Sequence, residues 1–246
     1  MTKRALVIGI NYEGPNKLNG CVSDAFRVND MLMNRGFIVL LLTENNTHYN
    51  IFQAIRWLLC DCSVDQLKTC SHNKDGISSD MLYYHFSGHG NVIHDKNTTY
   101  NSIITEDHKY ITNDDIYKNL LCLLPQGVKL RGCVDCCSSR SNFDLKWNIT
   151  KKDRIYTLQK SSNGRNNYCD AIIISSSSNY NNSYDTVING IKTGVLTYYY
   201  LEYVNKHNKI ILSKLLDYLH TKLSHYYQTP GISMGKQMSL TTDLWY

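Results

Sequence analysis

What this 246-residue chain lacks narrows its reading first. No stretch reaches the roughly 18 consecutive apolar residues that a membrane-crossing helix needs, so no membrane partner is expected. No dense basic tract is present. The tightest run is Lys151, Lys152 and Arg154, and a net charge of +5 spread along the chain reads as solubility, with no nucleic-acid partner. Nine cysteines, an odd number at irregular spacing, do not make a disulfide framework. Met1-Thr-Lys-Arg4 runs straight into an apolar stretch, Ala5 to Ile10, too short for a signal-peptide core with its cleavage site. Free thiols in a reducing, cytoplasmic compartment follow as the expectation. Proline is scarce at three residues, which says nothing about mechanism. There is no internal repeat and no low-complexity tract beyond Ser175 to Ser178. What is present, 42% hydrophobic and 19% charged residues, suits a folded domain and argues against disorder.

Periodicity supplies the elements. Arg4 to Ile10 is a short β-branched run entering a loop at Asn11 and Gly14-Pro15. Ser23 to Arg35 carries Ala25, Val28, Met31 and Leu32 at helical spacing and stops at Gly36. Phe37 to Leu42 reads as a strand, and Thr47 to Leu59 as a helix with Ile51, Ala54, Ile55 and Leu58 on one face. Met81 to Phe86, Val128 to Val134 and Ala171 to Ser175 are further strands, and Ile111 to Leu124 a helix ended by Pro125. Lys146 to Tyr168 reads as an exposed loop. Two helices, Gly194 to Asn205 and Ile210 to Tyr227, precede a β-like run at Met238 to Thr241. Strand alternating with helix predicts an α/β fold with a mostly parallel sheet covered on both faces.

In such sheets ligands bind beyond the carboxyl ends of the strands. Three polar clusters follow strand ends: Ser87-Gly-His-Gly90, Asp135-Cys-Cys-Ser138 and Ser175 to Asn179. A thiolate nucleophile needs a nearby base to lower its pKa from about 8.5, and N–H donors aimed at the developing oxyanion. His89 between two glycines and Cys137 at a turn fit those roles, with the N–H groups of Cys137 and Gly90 as candidate donors. A plain turn and small-residue packing explain each cluster separately; the pair on one rim favours chemistry. Cys60, Cys62, Cys70 and His72 offer three thiols and an imidazole for zinc, at spacings unlike common zinc sets, and read more readily as helix-end cysteines packed in an insertion.

Several ordered segments together resemble the metacaspase family. They are Ala5-Leu-Val-Ile-Gly-Ile-Asn11-Tyr12 with Leu18-Asn-Gly-Cys21-Val-Ser-Asp24-Ala25, the His box His85-Phe-Ser87-Gly-His89-Gly90, and the Cys box Val134-Asp135-Cys-Cys137-Ser138-Ser139. Phe143-Asp144-Leu145, Ile111 to Ile116, Ala171 to Ser176 and Gly194-Val-Leu-Thr197 extend the likeness over essentially the whole chain. His89 precedes Cys137 by 48 residues, close to the about 50 that separate the pair in caspases.

The resemblance implies a caspase-like three-layer α/β/α sandwich over residues 1–246. Within it, residues 1–145 would be large-subunit-like, residues 146–168 a linker and residues 169–246 small-subunit-like. It implies a monomeric cysteine endopeptidase acting through Cys137 and His89 on peptides or proteins after Arg or Lys. Asp24 and Asp135 would be the acids selecting a basic P1 side chain, with Ser87 and Cys21 beside them. Lys151, Lys152, Arg154, Lys160 and Arg165 make the linker a candidate for self-cleavage. No cofactor is required on this reading. The family's calcium aspartates fall at Asn101, Asn113, Asp114 and Asp144. Two of the four are amides, so calcium dependence is expected to be weak or absent. Ser138 and Arg140 depart from the family's His and Gly, and Asn179 and Asn181 from its Asp and Gln. A pseudopeptidase that binds a partner or peptide without cutting is the alternative.

Overall fold

Alternation along the first strand decides the layering. In β1 (Thr2–Gly9), Ala5 and Val7 face one side and Leu6 and Ile8 the other, and all four are fully buried. A strand buried on both faces requires a helical layer above and below it. The computed structural model describes residues 2–59, 79–95, 98–137, 142–152, 155–161, 164–165, 169–176 and 185–246. One face of the sheet is covered by α1 (Cys21–Met33), α4 (Val195–Lys206) and α5 (Leu212–Leu223), through Val28, Leu32, Leu196, Leu201 and Leu215. The other is covered by α2 (His48–Leu59) and α3 (Asn113–Asn119), through Ile51, Ile55, Leu58 and Ile116.

The remaining strands of the central sheet are β2 (Ile38–Leu42), β3 (Ser79–Ser87), β7 (Lys129–Asp135), β8 (Trp147–Lys152), β9 (Ile155–Lys160), β10 (Asp170–Ser175) and β13 (Gly231–Met234). Among the described residues the sheet has eight strands in the order β2-β1-β3-β7-β10-β13-β8-β9. The first five are parallel; β13, β8 and β9 extend it antiparallel. A small antiparallel sheet of β4 (Gly90–Asp95), β5 (Thr98–Ile104) and β6 (Tyr110–Thr112) follows β3, and a hairpin of β11 (Asp185–Ile188) and β12 (Ile191–Gly194) precedes α4. No described helix is long and apolar enough to cross a membrane.

Three expectations need correcting. Trp147–Lys152 and Ile155–Lys160 are a strand pair, not an exposed loop: Trp147 and Ile149 in β8, and Tyr156 and Leu158 in β9, turn toward the core beneath α5. In β9 the inward Tyr156 and Leu158 alternate with exposed Ile155, Thr157 and Gln159, a mixed apolar and polar outer face that reads as loop. The helix expected over 111–124 is shorter. Thr112 closes the last strand of the small sheet and caps α3 in a reciprocal box with Asp115, and the helix ends at Asn119 before a single 3-10 turn at Leu121–Leu123. The late strand is Gly231–Met234, buried at every position, and Met238 to Thr241 is irregular. Four residues buried on both faces carry no alternation to read.

Candidate active site

Register brings the two candidate residues to the same end of the sheet. Gly9 of β1 pairs with Ser87 of β3, and Ser87 pairs with Asp135 of β7. His89 and Cys137 each lie two residues beyond that pair, on neighbouring parallel strands about 4.8 Å apart. The ladder continues past the strand end, because Gly88 N–H donates to Asp135 O at 3.3 Å. Gly90 then lies against the cysteine turn so closely that a Cβ there would sit 2.2 Å from Cys137 O and 3.0 Å from Cys136 Sγ.

The adjacent thiols are not equivalent. Cys136 is 1% exposed, belongs to the core, and its sulfur accepts from Asn142 Nδ2 at 3.3 Å. Burial pushes its pKa well up, so it stays a neutral thiol. Cys137 is partly exposed at the turn.

His89 is held on three sides. Its Nε2 lies 2.7 Å from Asn16 O. A carbonyl only accepts, so Nε2 carries a proton, and in the neutral ring Nδ1 holds the lone pair. The Tyr12 ring lies against the imidazole with centroids 4.6 Å apart. The Tyr12 hydroxyl accepts from His89 N–H at 2.9 Å and donates to Ile104 O at 2.7 Å, while Ile104 N–H donates to His89 O at 3.0 Å. Burial raises the Tyr12 pKa, keeping that hydroxyl a donor. Sequence reading placed Tyr12 inside a motif without a role and missed Asn16 altogether, since a main-chain carbonyl leaves no residue signature.

The acids converge on the start of α4. Asp24 is fully buried: Ser87 Oγ and Gly194 N–H donate to its Oδ2 at 3.2 and 2.7 Å, Thr193 Oγ1 donates to its Oδ1, and Arg27 Nη1 lies 3.7 Å from Oδ1. Asp135, 3% exposed, accepts at Oδ2 from Thr197 N–H and Thr197 Oγ1, both at 2.9 Å, and so caps the N-terminus of α4 from another element. A Cβ on Gly194 would lie 2.3 Å from Asp135 Oδ2 and 3.1 Å from Asp24 Oδ2, so only glycine fits between the carboxylates. The acids expected on an open rim therefore lie beneath Thr193 and Gly194. Cys21 is buried alongside, its thiol pushed up by burial. Asp185 was not singled out in the sequence. It accepts from Asn19 N–H at 2.6 Å, and its Oδ1 is buried without a hydrogen-bond partner.

Burial first, then the nearby Asp135 charge, pushes Asp24 up to about 8. An unfolded aspartate titrates near ~3.9. The folded state thus holds a proton that the unfolded state has lost, and stability from this group is full below pH ~4 and lost as pH rises to about 8. The melting temperature should fall by a few degrees from pH 5 to 8, and Asp24→Asn, which mimics the neutral carboxyl, should flatten that fall. Parallel melting curves against pH for the two proteins would refute the assignment.

Comparison with known proteins bears on this geometry. Residues 3–146, more than half of the chain, match the family described as metacaspase, peptidase C14 domain. The chain belongs to the metacaspase family. It is 34% identical over 180 residues to Metacaspase-1 of Plasmodium falciparum, a match covering 64% of this chain and 27% of that protein. It is 33% identical over 173 residues to Metacaspase-2 of Arabidopsis thaliana, covering 62% and 38%. Against these two relatives the matched region spans well under half of the other protein's length. Metacaspase-1 of Schizosaccharomyces pombe, at 25% identity, is matched over 97% of this chain and 68% of its own length. Among solved structures, a Geobacter sulfurreducens protein superposes with a TM-score of 0.69 at 18% identity, covering 97% of this chain and 95% of that one. Caspase-1 of Spodoptera frugiperda superposes with a TM-score of 0.57 at 14% identity, covering 94% and 88%. The fold is the caspase-like α/β/α sandwich around a mostly parallel sheet.

Metacaspase membership raises the question of calcium. Asn101 lies in β5, paired with Val92 of β4, and Asn113 opens α3. Asn113 Nδ2 donates to Asp144 Oδ2 at 2.6 Å. Asp144 accepts only, so the amide's donor face is the one turned toward it. Asp114 is bound on one oxygen by Arg165 and on the other by Lys118 at 2.7 Å, and Arg165 Nε lies 3.6 Å from Asp144 Oδ2. Three of the four positions, Asn113, Asp114 and Asp144, come together, and both carboxylates already face protein cations. Calcium asks for six to eight oxygens, several of them carboxylates. Among the described residues no cluster of three or more His, Cys, Asp or Glu is arranged for a metal. As arranged, this site does not fit calcium.

The self-cleavage candidates fare differently from one another. Lys151 sits in β8 and pairs with Asp217 at 3.0 Å, Lys160 pairs with Trp147 in the β8–β9 ladder, and Arg165 is engaged as above. A protease cleft needs an extended, unpaired segment, which these strands do not present. The Lys152 side chain, Arg154, Ser138, Arg140, Asn179, Asn181 and the zinc candidates Cys60, Cys62, Cys70 and His72 lie outside the described residues.

Proposed function

We propose that this chain is a cysteine endopeptidase in which His89 Nδ1 takes the proton from Cys137 Sγ and the thiolate attacks the scissile carbonyl. The imidazolium then protonates the departing amine, and water activated by the same imidazole releases the acyl group from sulfur. The observation that carries this reading is the matched position of His89 and Cys137 on neighbouring strands, with Asn16 O claiming the other imidazole nitrogen. The N–H groups of Cys137 and Gly90 are the oxyanion donors on this reading.

Asp24 and Asp135 support cleavage after Arg or Lys. Both acids act from beneath Thr193 and Gly194, where the negative charge of Asp135 favours a guanidinium or ammonium seated above them and disfavours an acidic side chain. Fluorogenic peptides differing only at P1 test this. Arg and Lys peptides should be cut at least ~100-fold faster than the Asp peptide. An Asp preference, or equal rates for wild type and Cys137→Ala, would end the proposal.

A further inference from the structure

We infer that Arg165 takes the place of a divalent cation in this metacaspase, tying the His89 arm of the site to the Cys137 arm without metal. The His89 arm runs from Gly90 through β4, β5 and β6 into α3, which carries Asp114. The Cys137 arm returns through Phe143 and Leu145, both buried, and presents Asp144 between them. Arg165 comes from neither arm but from the connection between β9 and β10. Its Nη2 donates to Asp114 Oδ1, its Nε faces Asp144 Oδ2 at 3.6 Å, and its own N–H donates to Asp144 O at 3.0 Å. The guanidinium lies over the Tyr117 ring, 4.3 Å from its centroid, which fixes the plane of the fork.

Charge accounts for the choice of cation. The Asp144 side chain is 7% exposed, and a carboxylate so deeply buried needs a counter-charge. Two carboxylates meet two cations, Arg165 and Lys118, and only Arg165 reaches both, so a divalent ion between them must displace Arg165. The Asn113 amide oxygen is buried without a hydrogen-bond partner, and with a carboxylate in its position the pocket would present a third anionic group. The amide at 113 and the guanidinium at 165 belong together: one carboxylate fewer, and one protein cation in the metal's place. Arg165 is thus a positioning residue, acting on the dyad through Asp114 and Asp144.

Wild type, Arg165→Gln, Arg165→Lys and the double variant Asn113→Asp/Arg165→Gln are melted in EDTA and in millimolar calcium, with calcium uptake titrated by calorimetry. Wild type should melt at one temperature in both and take up no calcium. Arg165→Gln should melt roughly 3 °C lower, and Arg165→Lys, which keeps the charge but not the stacked fork, should recover only part of that loss. The double variant should bind calcium and be stabilised by it. A wild-type calcium shift as large as the double variant's would overturn the inference, as would a double variant blind to calcium or Arg165→Gln melting like wild type. None of these readouts needs peptidase activity, so failure here is distinguishable from failure of the proposed dyad.

Discussion

Cys137→Ala is expected to lower kcat/KM on a basic-P1 peptide by at least about 1,000-fold, and His89→Ala by a similar factor, because nucleophile and base act as one unit. The double variant should be little worse than either single one, since removing the base leaves a weak thiol and removing the thiol leaves the base nothing to activate. Cys136→Ala is the informative control. Its sulfur is 1% exposed and bonded to Asn142, so its loss should cost about 1–2 kcal/mol of stability and leave the rate within a few-fold of wild type. Initial rates with wild type and the four variants, alongside their melting temperatures, decide the matter. A dead Cys136→Ala protein that still folds would move the nucleophile by one residue and undo the assignment.

Gly90→Ala should come next in size, for a steric reason. The added methyl would lie 2.2 Å from Cys137 O and 3.0 Å from Cys136 Sγ. The nearer atom is backbone and cannot rotate away, so the turn bearing Cys137 must move relative to His89. Dyad chemistry tolerates little displacement: a shift near 1 Å at a reacting centre costs about 100-fold. We expect kcat/KM to fall by about that factor, and stability by about 2 kcal/mol from overpacking. Alkylation of Cys137 by iodoacetamide should slow in parallel, because the thiol loses its base. Near-wild-type rates for both reactions would show that Gly90 does not bear on the cysteine turn.

Some features were legible because they repeat over short windows or occupy strand ends. Ala5-Leu-Val-Ile8 reads as a strand buried on both faces, and the helix around Val28 and Leu32 as one face of a repeat near 3.6 residues. The strand pair β8–β9 was legible in principle but hidden, because β9 is an edge strand whose outward side carries Ile155, Thr157 and Gln159. A four-residue strand such as Gly231–Met234, fully buried, offers no alternation at all.

The sequence by itself determined the layered α/β architecture and the presence of a histidine and a cysteine just past two of its strands, because side-chain periodicity and strand–helix alternation are local properties. Only the tertiary structure decided what surrounds them. Asn16 O reaches His89 across 73 residues, Gly194 N–H reaches Asp24 across 170, and Arg165 reaches Asp114 across 51. Each of these contacts depends on register between elements far apart in the chain, and two of them use main-chain groups common to every residue. Burial of Asp24 is equally a property of the packed fold: desolvation raises its pKa only once Thr193 and Gly194 have closed over it.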